Sequence, residues 1–459
     1  MTIMKKLYFF VIGFFLITSI NYLQAQPFDS TLASKLQIRL DNLTGFYNLK
    51  GTSASVLYPG EGMWQGVSGI SRIGVPVTPD MEFGIASNTK LFTAVALLKL
   101  QENNIIDLDD SLYKWIPKFN NVDSNITIRQ ILNHTSGIAD VTSIPGYRDS
   151  ILLNPYRIFT PYEIVSWIGP RLFPAGTGWS YSNTNYLIAG MVFERAAGRK
   201  IASFIRDSIL TPLNLDSTFF DVEEAVEGTI ANPWHQGVDF GMFPRTGLNS
   251  AAWTAGAMYS NSGDMARWYQ GLLERGFLRN DSFEEMTTFT GTGNYGLAIA
   301  EDIFSGRTVW GHGGDIIGYR SRVIYDTTLH VVICVLTNTN PAPVSEMAEA
   351  LLNTIVNNPV SGTGAGVAKD LPGTIELYGN YPNPFNPSTK IEFSLPERER
   401  VALRVFNVMG EEVAKVAEGI MEEGRHGFVF DAKGLSSGVY FYRLETGRSI
   451  ISRKMLILK

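Results

Sequence analysis

Cysteine is nearly missing from this chain of 459 residues. A single one, Cys334, cannot close an internal disulfide, which excludes a stapled scaffold and a thiolate zinc framework. It stands in the apolar run Val331-Val332-Ile333-Cys334-Val335-Leu336 and reads as a small core residue. Positive charge is scarce too: 38 Lys and Arg face 44 Asp and Glu, a formal charge of −6, so no basic surface is offered to nucleic acid. The histidines at 134, 235, 312, 330 and 426 have no ligand spacing, and no metal or organic cofactor is implied. Long apolar runs are confined to the N-terminus, so no membrane span is expected once that segment is removed. What is abundant is apolar matter: 45% hydrophobic against 18% charged residues describes a globular chain, with length for two or three domains.

The two ends carry addresses. Lys5 and Lys6 precede an apolar stretch from Leu7 to Ile20, too short for a span of about 20 residues, and Ala25 suits cleavage before Gln26. Residues 1–25 are therefore expected to be a signal peptide. Near the other end, Gly, Pro and small polar residues between 359 and 373 predict a linker, separating a domain at 26–358 from one at 374–459. In the latter, alternating runs at Ile391 to Leu395, Val401 to Val408, Phe428 to Phe430 and Val439 to Leu444, parted by turn residues, predict a small all-β sandwich. The segments Tyr381-Pro382-Asn383-Pro384-Phe385-Asn386-Pro387, Leu435 to Tyr442 and Arg453-Lys454-Met455 resemble the C-terminal sorting domain of type IX secretion cargo. That resemblance implies handling by the type IX machinery, with display on or release from the outer surface of a diderm bacterium.

In the middle region strands and helices mix without strict β-then-α alternation. The patterns predict an α+β domain with an antiparallel sheet, its strands at Ala54 to Tyr58, Trp64 to Ile70, Val309 to His312, Arg320 to Tyr325 and Val331 to Leu336. Helices are expected at Lys90 to Gln101, Thr184 to Ala197, Asp264 to Arg275 and Val344 to Val356.

Three short motifs carry chemistry. In Ser87-Asn88-Thr89-Lys90 the i, i+3 spacing puts hydroxyl and ammonium on one face at a helix start. Burial of such a lysine disfavours its charged form, so it can accept the serine proton. The loop Trp179-Ser180-Tyr181-Ser182-Asn183 offers a phenol, expected to ionise more easily beside the ammonium, and an amide for substrate or for holding Lys90. In Trp310-Gly311-His312-Gly313-Gly314-Asp315 the glycines allow close approach of a substrate, and the N–H of Asp315 could join that of Ser87 in holding an oxyanion.

Taken in order, S-x-x-K, Y-S-N and H-x-G make the region from about 30 to 357 resemble the serine β-lactamase and penicillin-binding protein superfamily, in the branch of class C β-lactamases, D-alanyl-D-alanine carboxypeptidases and related esterases. Ile131 to Gly137 and Ala255 to Ser260 resemble further segments of that branch. The resemblance implies that Ser87 is the acylated nucleophile, Lys90 its base and Tyr181 the proton relay. Asn183, His312 and Gly314 would bind substrate, while the N–H groups of Ser87 and Asp315 form the oxyanion hole, and His134 is structural. His312 stands where β-lactamases of this branch carry Lys, which removes a fixed cation from the carboxylate site and disfavours efficient β-lactam hydrolysis. The expected activity is cleavage of an amide or ester in a small acyl or peptide substrate; a carboxylesterase and a slow penicillin-binding sensor are the alternatives.

Two patterns lack their context. Gly434-Leu435-Ser436-Ser437-Gly438 precedes a strand where a nucleophile elbow needs a helix. Gly291-Thr292-Gly293-Asn294-Tyr295-Gly296 lacks the βαβ frame of a dinucleotide fingerprint.

Overall fold

The computed structural model describes residues 28–358 except 124, 275 and 292, and residues 375–458 except 379, 381, 382, 384, 397, 422 and 423. The expected leader at 1–25 and linker at 359–373 lie outside the described residues, as do Tyr381, Pro382 and Pro384. The chain divides into two compact units, one before and one after residue 361.

The first unit is built on an antiparallel sheet. Its strands are β1 Gly51–Tyr58, β2 Gly62–Arg72, β3 Val75–Pro76, β4 Ala300–Phe304, β5 Arg307–Ile316, β6 Tyr319–Asp326 and β7 Val332–Thr337, in the order β3-β2-β1-β7-β6-β5-β4. The main helices are α1 Ser30–Phe46, α2 Thr89–Glu102, α3 Tyr147–Leu152, α4 Asn183–Ala197, α5 Ser262–Glu274 and α6 Val344–Val356.

Strand β7 explains why the sheet sits in the middle. Successive side chains point to opposite faces, so Ile333 and Val335 join one core while Val332, Cys334 and Leu336 join the other. Both faces are covered, which is why the run is apolar throughout instead of alternating. One face receives α1, through Leu32, Leu36, Leu40 and Leu43 at helical spacing, and α6, through Met347, Leu351, Leu352 and Ile355.

On the other face α2 is the axis of the unit. It buries residues on all its sides from Thr89 to Leu98, as a helix wrapped by other elements must. Phe92 stacks on Trp268 of α5, with centroids 4.5 Å apart and planes at 14°. Glycine 190 lets α4 lie against this layer: a Cβ there would come within 2.5 Å of Thr254.

The second unit pairs two sheets. One contains Glu376–Leu377 with β8 Ser388–Leu395 and β11 Gly424–Asp431; the other runs β10 Glu412–Met421, β9 Glu399–Phe406, β12 Gly438–Thr446, β13 Ile450–Ile457. Ile391, Phe393 and Leu395 meet Val401, Leu403, Val405, Tyr442 and Leu444 in one core, the packing of a small sandwich. Strands β10 and β13 are absent from the sequence-based expectation. The first is rich in Glu, Ala and Lys, and the second buries only Met455 and Ile457 on its inner side, so neither shows a clear period of two.

Candidate active site

Ser87 is presented by a short turn, Ala86–Asn88, that leads into α2. Ala86 has φ +48°, a left-handed conformation costing about 1–2 kcal/mol for a residue with a Cβ. Neighbours over-determine that turn. Asn88 donates to Ser321 Oγ at 2.9 Å and accepts from Tyr269 at 2.9 Å, while Ser321 Oγ donates to the Ile85 carbonyl at 2.7 Å. Strand β5 supplies the remaining support: a Cβ on Gly314 would lie 2.3 Å from the Ile85 carbonyl oxygen and 2.2 Å from Ser321 Oγ. The close approach at Gly314 is therefore one of backbone to the nucleophile's own turn, and not of substrate to backbone as expected from the sequence.

Lys90 is fully buried. Its Nζ lies 2.9 Å from Ser87 Oγ, 2.8 Å from Asn183 Oδ1 and 2.6 Å from the Ala255 carbonyl oxygen. Burial brings its pKa down to about 7, against a smaller upward pull from the Asp140 carboxylate. A neutral amine has two hydrogens and one lone pair. The Asn183 and Ala255 oxygens can only accept, so both hydrogens go to them and the lone pair is left facing the Ser87 hydroxyl. Asn183 cannot turn over, because its Nδ2 donates to Asp140 Oδ2 at 3.0 Å, and Asp140 Oδ1 accepts from Thr142 N at 3.0 Å.

Tyr181 stands beside Ser87, and its ring lies 5.0 Å from Lys90 Nζ. The expected easy ionisation is overturned. Loss of solvation outweighs the opposing effect of Ser87 and holds the phenol well above its ordinary value, so Tyr181 is an O–H donor. Its loop is propped by His134, whose Nδ1 accepts from Ser182 N and from Asn185 Nδ2, each at 3.2 Å. Burial keeps that imidazole neutral.

His312 also departs from its expected place. It is buried, with Nδ1 donating to the Gly313 carbonyl at 2.6 Å and Nε2 accepting from Tyr295 Oη at 2.8 Å. Burial and the nearby Lys90 lower its pKa to about 3. Both ring nitrogens are thus engaged inside the protein, and like Lys90 and Tyr181 neither His312 nor Gly314 is among the residues lining the cavity beside Ser87. Tyr295 comes from the glycine run dismissed as a phosphate loop. Gly291 and Gly293 in that run leave room for Trp179, which a Cβ on Gly293 would meet at 2.4 Å.

The N–H of Asp315 is directed at the β4 edge of β5. Arg307↔Phe304 and Ile316↔Tyr319 each flank a two-residue turn, so each is a hydrogen-bonded pair. Alternation along β5 then directs Gly311, Gly313 and Asp315 toward the β4 edge. Strand β4 ends opposite Gly311, which leaves the edge at Asp315 without a strand partner.

Ser87, Asn183, Ala255 and Asp315 open onto a cavity of about 450 Å³. Val141, Ile151, Leu152, Leu187, Leu248 and Ile316 make most of it apolar, while Arg148, His235 and Asn340 line one part. A second cavity of about 440 Å³, around Arg72, Pro233 and Phe243, holds none of the motif residues. No cluster of metal-ligating side chains occurs among the described residues. Asp140, Ala255 and Tyr295 were missed as site residues because the contacts that matter join segments far apart in the chain. The only sequence signals were Asp140 just beyond Ile131 to Gly137, and Ala255 opening the second supporting segment.

The β-lactamase family model matches residues 39–356, and a model described as a secretion system C-terminal sorting domain matches residues 380–458. A D-stereospecific amidohydrolase from Streptomyces sp. is 30% identical, with a TM-score of 0.62 over 69% of this chain and 97% of that one. A D-amino acid amidase from Ochrobactrum anthropi SV3, solved with L-phenylalanine, is 25% identical, with a TM-score of 0.66 over 72% of this chain and all of that one. Penicillin-binding protein 4* of Bacillus subtilis (strain 168) is 32% identical over 149 residues, 31% of each chain. The chain spans less than two thirds of the length of the curated relatives it matches.

Proposed function

The chain belongs to the β-lactamase family of serine hydrolases, and from that premise we propose that it is an exported enzyme cleaving an amide or ester through an acyl-enzyme on Ser87. The observation that carries this reading is the lone pair of neutral Lys90 aimed at the Ser87 hydroxyl. Lys90 takes the hydroxyl proton as Oγ bonds to the substrate carbonyl carbon. The N–H groups of Ser87 and Asp315 hold the resulting oxyanion. On collapse, the phenol of Tyr181 gives its proton to the departing amine or alkoxide, and Lys90, whose Nζ lies 5.0 Å from the Tyr181 ring, returns to the phenolate the proton it took from Ser87. Water then attacks the ester, and the same groups run in reverse.

The apolar cavity and the likeness to D-amino acid amidases point to an acyl group bearing an apolar side chain, such as a D-amino acid amide or peptide. The match at 380–458 supports type IX export to the surface or medium. The test is hydrolysis of D-phenylalaninamide, a D-alanyl-D-alanine peptide and a short-chain phenyl ester. Ser87→Ala should lower kcat by at least about 10⁴-fold on whichever is turned over. Unchanged turnover by that variant would sink the reading.

A further inference from the structure

Along the cavity that holds Ser87, a string of side-chain hydrogen bonds that the reaction above does not use joins Asp315, Asn340, His235 and Arg148. Asn340 Nδ2 donates to Asp315 Oδ1, so Asn340 Oδ1 is left to accept, and it lies 2.9 Å from His235 Nδ1. His235 therefore donates from Nδ1 and presents a bare Nε2. Arg148, whose guanidinium can only donate, reaches that Nε2 at 3.4 Å. The two ends of the string differ in charge balance. Asp315 is paired with the Arg320 cation, 3.4 Å away, and also accepts from Asn340. Arg148 forms no ion pair with a carboxylate among the described residues, so the cavity wall carries one uncompensated cation. It sits on α3 beside the apolar patch made by Ile151 and Leu152 of the same helix.

We propose that Arg148, aimed by His235 and Asn340, is a specificity-determining residue that receives a carboxylate of the substrate, so that the preferred substrates join an apolar side chain to a free carboxylate. This rests on the acyl-enzyme reading and adds to it. His312 is buried and neutral and offers no charge to such a group. A planar guanidinium can take it in two parallel hydrogen bonds. Capped substrates, amides or esters at that position, would leave the cation unmatched.

The test compares N-acetyl-D-phenylalanyl-D-alanine with its C-terminal amide, binding each to full-length Ser87→Ala protein by calorimetry. The free acid should bind about tenfold or more tightly, a difference that shrinks as salt is raised. In Ser87→Ala/Arg148→Gln that preference should vanish, and Arg148→Lys should restore part of it. Equal or weaker binding of the acid, no binding of either, or a preference that survives Arg148→Gln would overturn the proposal. Hydrolysis by otherwise unaltered protein is scored separately. Activity that persists in Ser87→Ala refutes the acyl-enzyme reading, whereas loss of activity in Ser87→Ala with no effect of Arg148→Gln on the acid preference refutes this inference alone.

Discussion

Lys90 is a base only when neutral, and its pKa of about 7 places that change within the working range. Below pH 7 the ammonium holds three hydrogens and has nothing to offer Ser87; above it the lone pair is free. The kcat/KM profile should rise through about pH 7. Asp140 favours the charged lysine, so Asp140→Asn should move that rising limb to lower pH, whereas a limb that stays in place or moves up would contradict the assignment. Lys90→Arg keeps the charge and the donors but never becomes neutral, and should abolish hydrolysis measured at any pH up to about 10. The pairing of Ser87 with Lys90 was legible from a spacing of three on a helix. The orientation of Asn183 was not, because it is fixed by Asp140, 43 residues away. Nor was the state of Tyr181, since solvation lost on burial depends on everything packed round the ring.

At the scale of elements, the site depends on β5 lying against the Ser87 turn and on α2 being clamped from behind. Gly314→Ala forces a methyl into the Ile85 carbonyl and should cost about 1–3 kcal/mol in thermal or denaturant unfolding, with a fall in kcat because the turn shifts. Trp268→Ala empties the slot stacked on Phe92 and should cost about 3–5 kcal/mol, read by the same unfolding measurement. Strands β1, β2, β5, β6 and β7 and helices α2, α4, α5 and α6 were readable from their apolar residues, those of β7 and α2 as continuous runs because neighbours cover them on every side, whereas α1, α3, β3 and β4 were not among the expected elements. Strand β13 exposes half of its residues and left no such trace. His312 shows the limit of motif reading: its place on β5 was legible, but its hydrogen bond to Tyr295, on a different segment, was not.

Over the whole molecule, the apolar residues collect in separate cores, two against the faces of the large sheet and one within the C-terminal sandwich. Among the described residues, no helix is long and apolar enough to cross a membrane. A chain of residues 26–358 alone should therefore fold and retain the kcat of the longer protein, which side-by-side kinetics would check. Cys334 lies at 0% exposure between the faces of β7, with burial pushing its thiol up, so thiol reagents should label it only after denaturation. The central claim is a covalent bond at one oxygen. Acid-quenched intact-mass measurement during turnover of a D-phenylalanine phenyl ester should find a fraction of the protein heavier by the acyl group, with the label on Ser87 and none in Ser87→Ala. An equal mass increment in Ser87→Ala, or label on a different residue, would contradict the account.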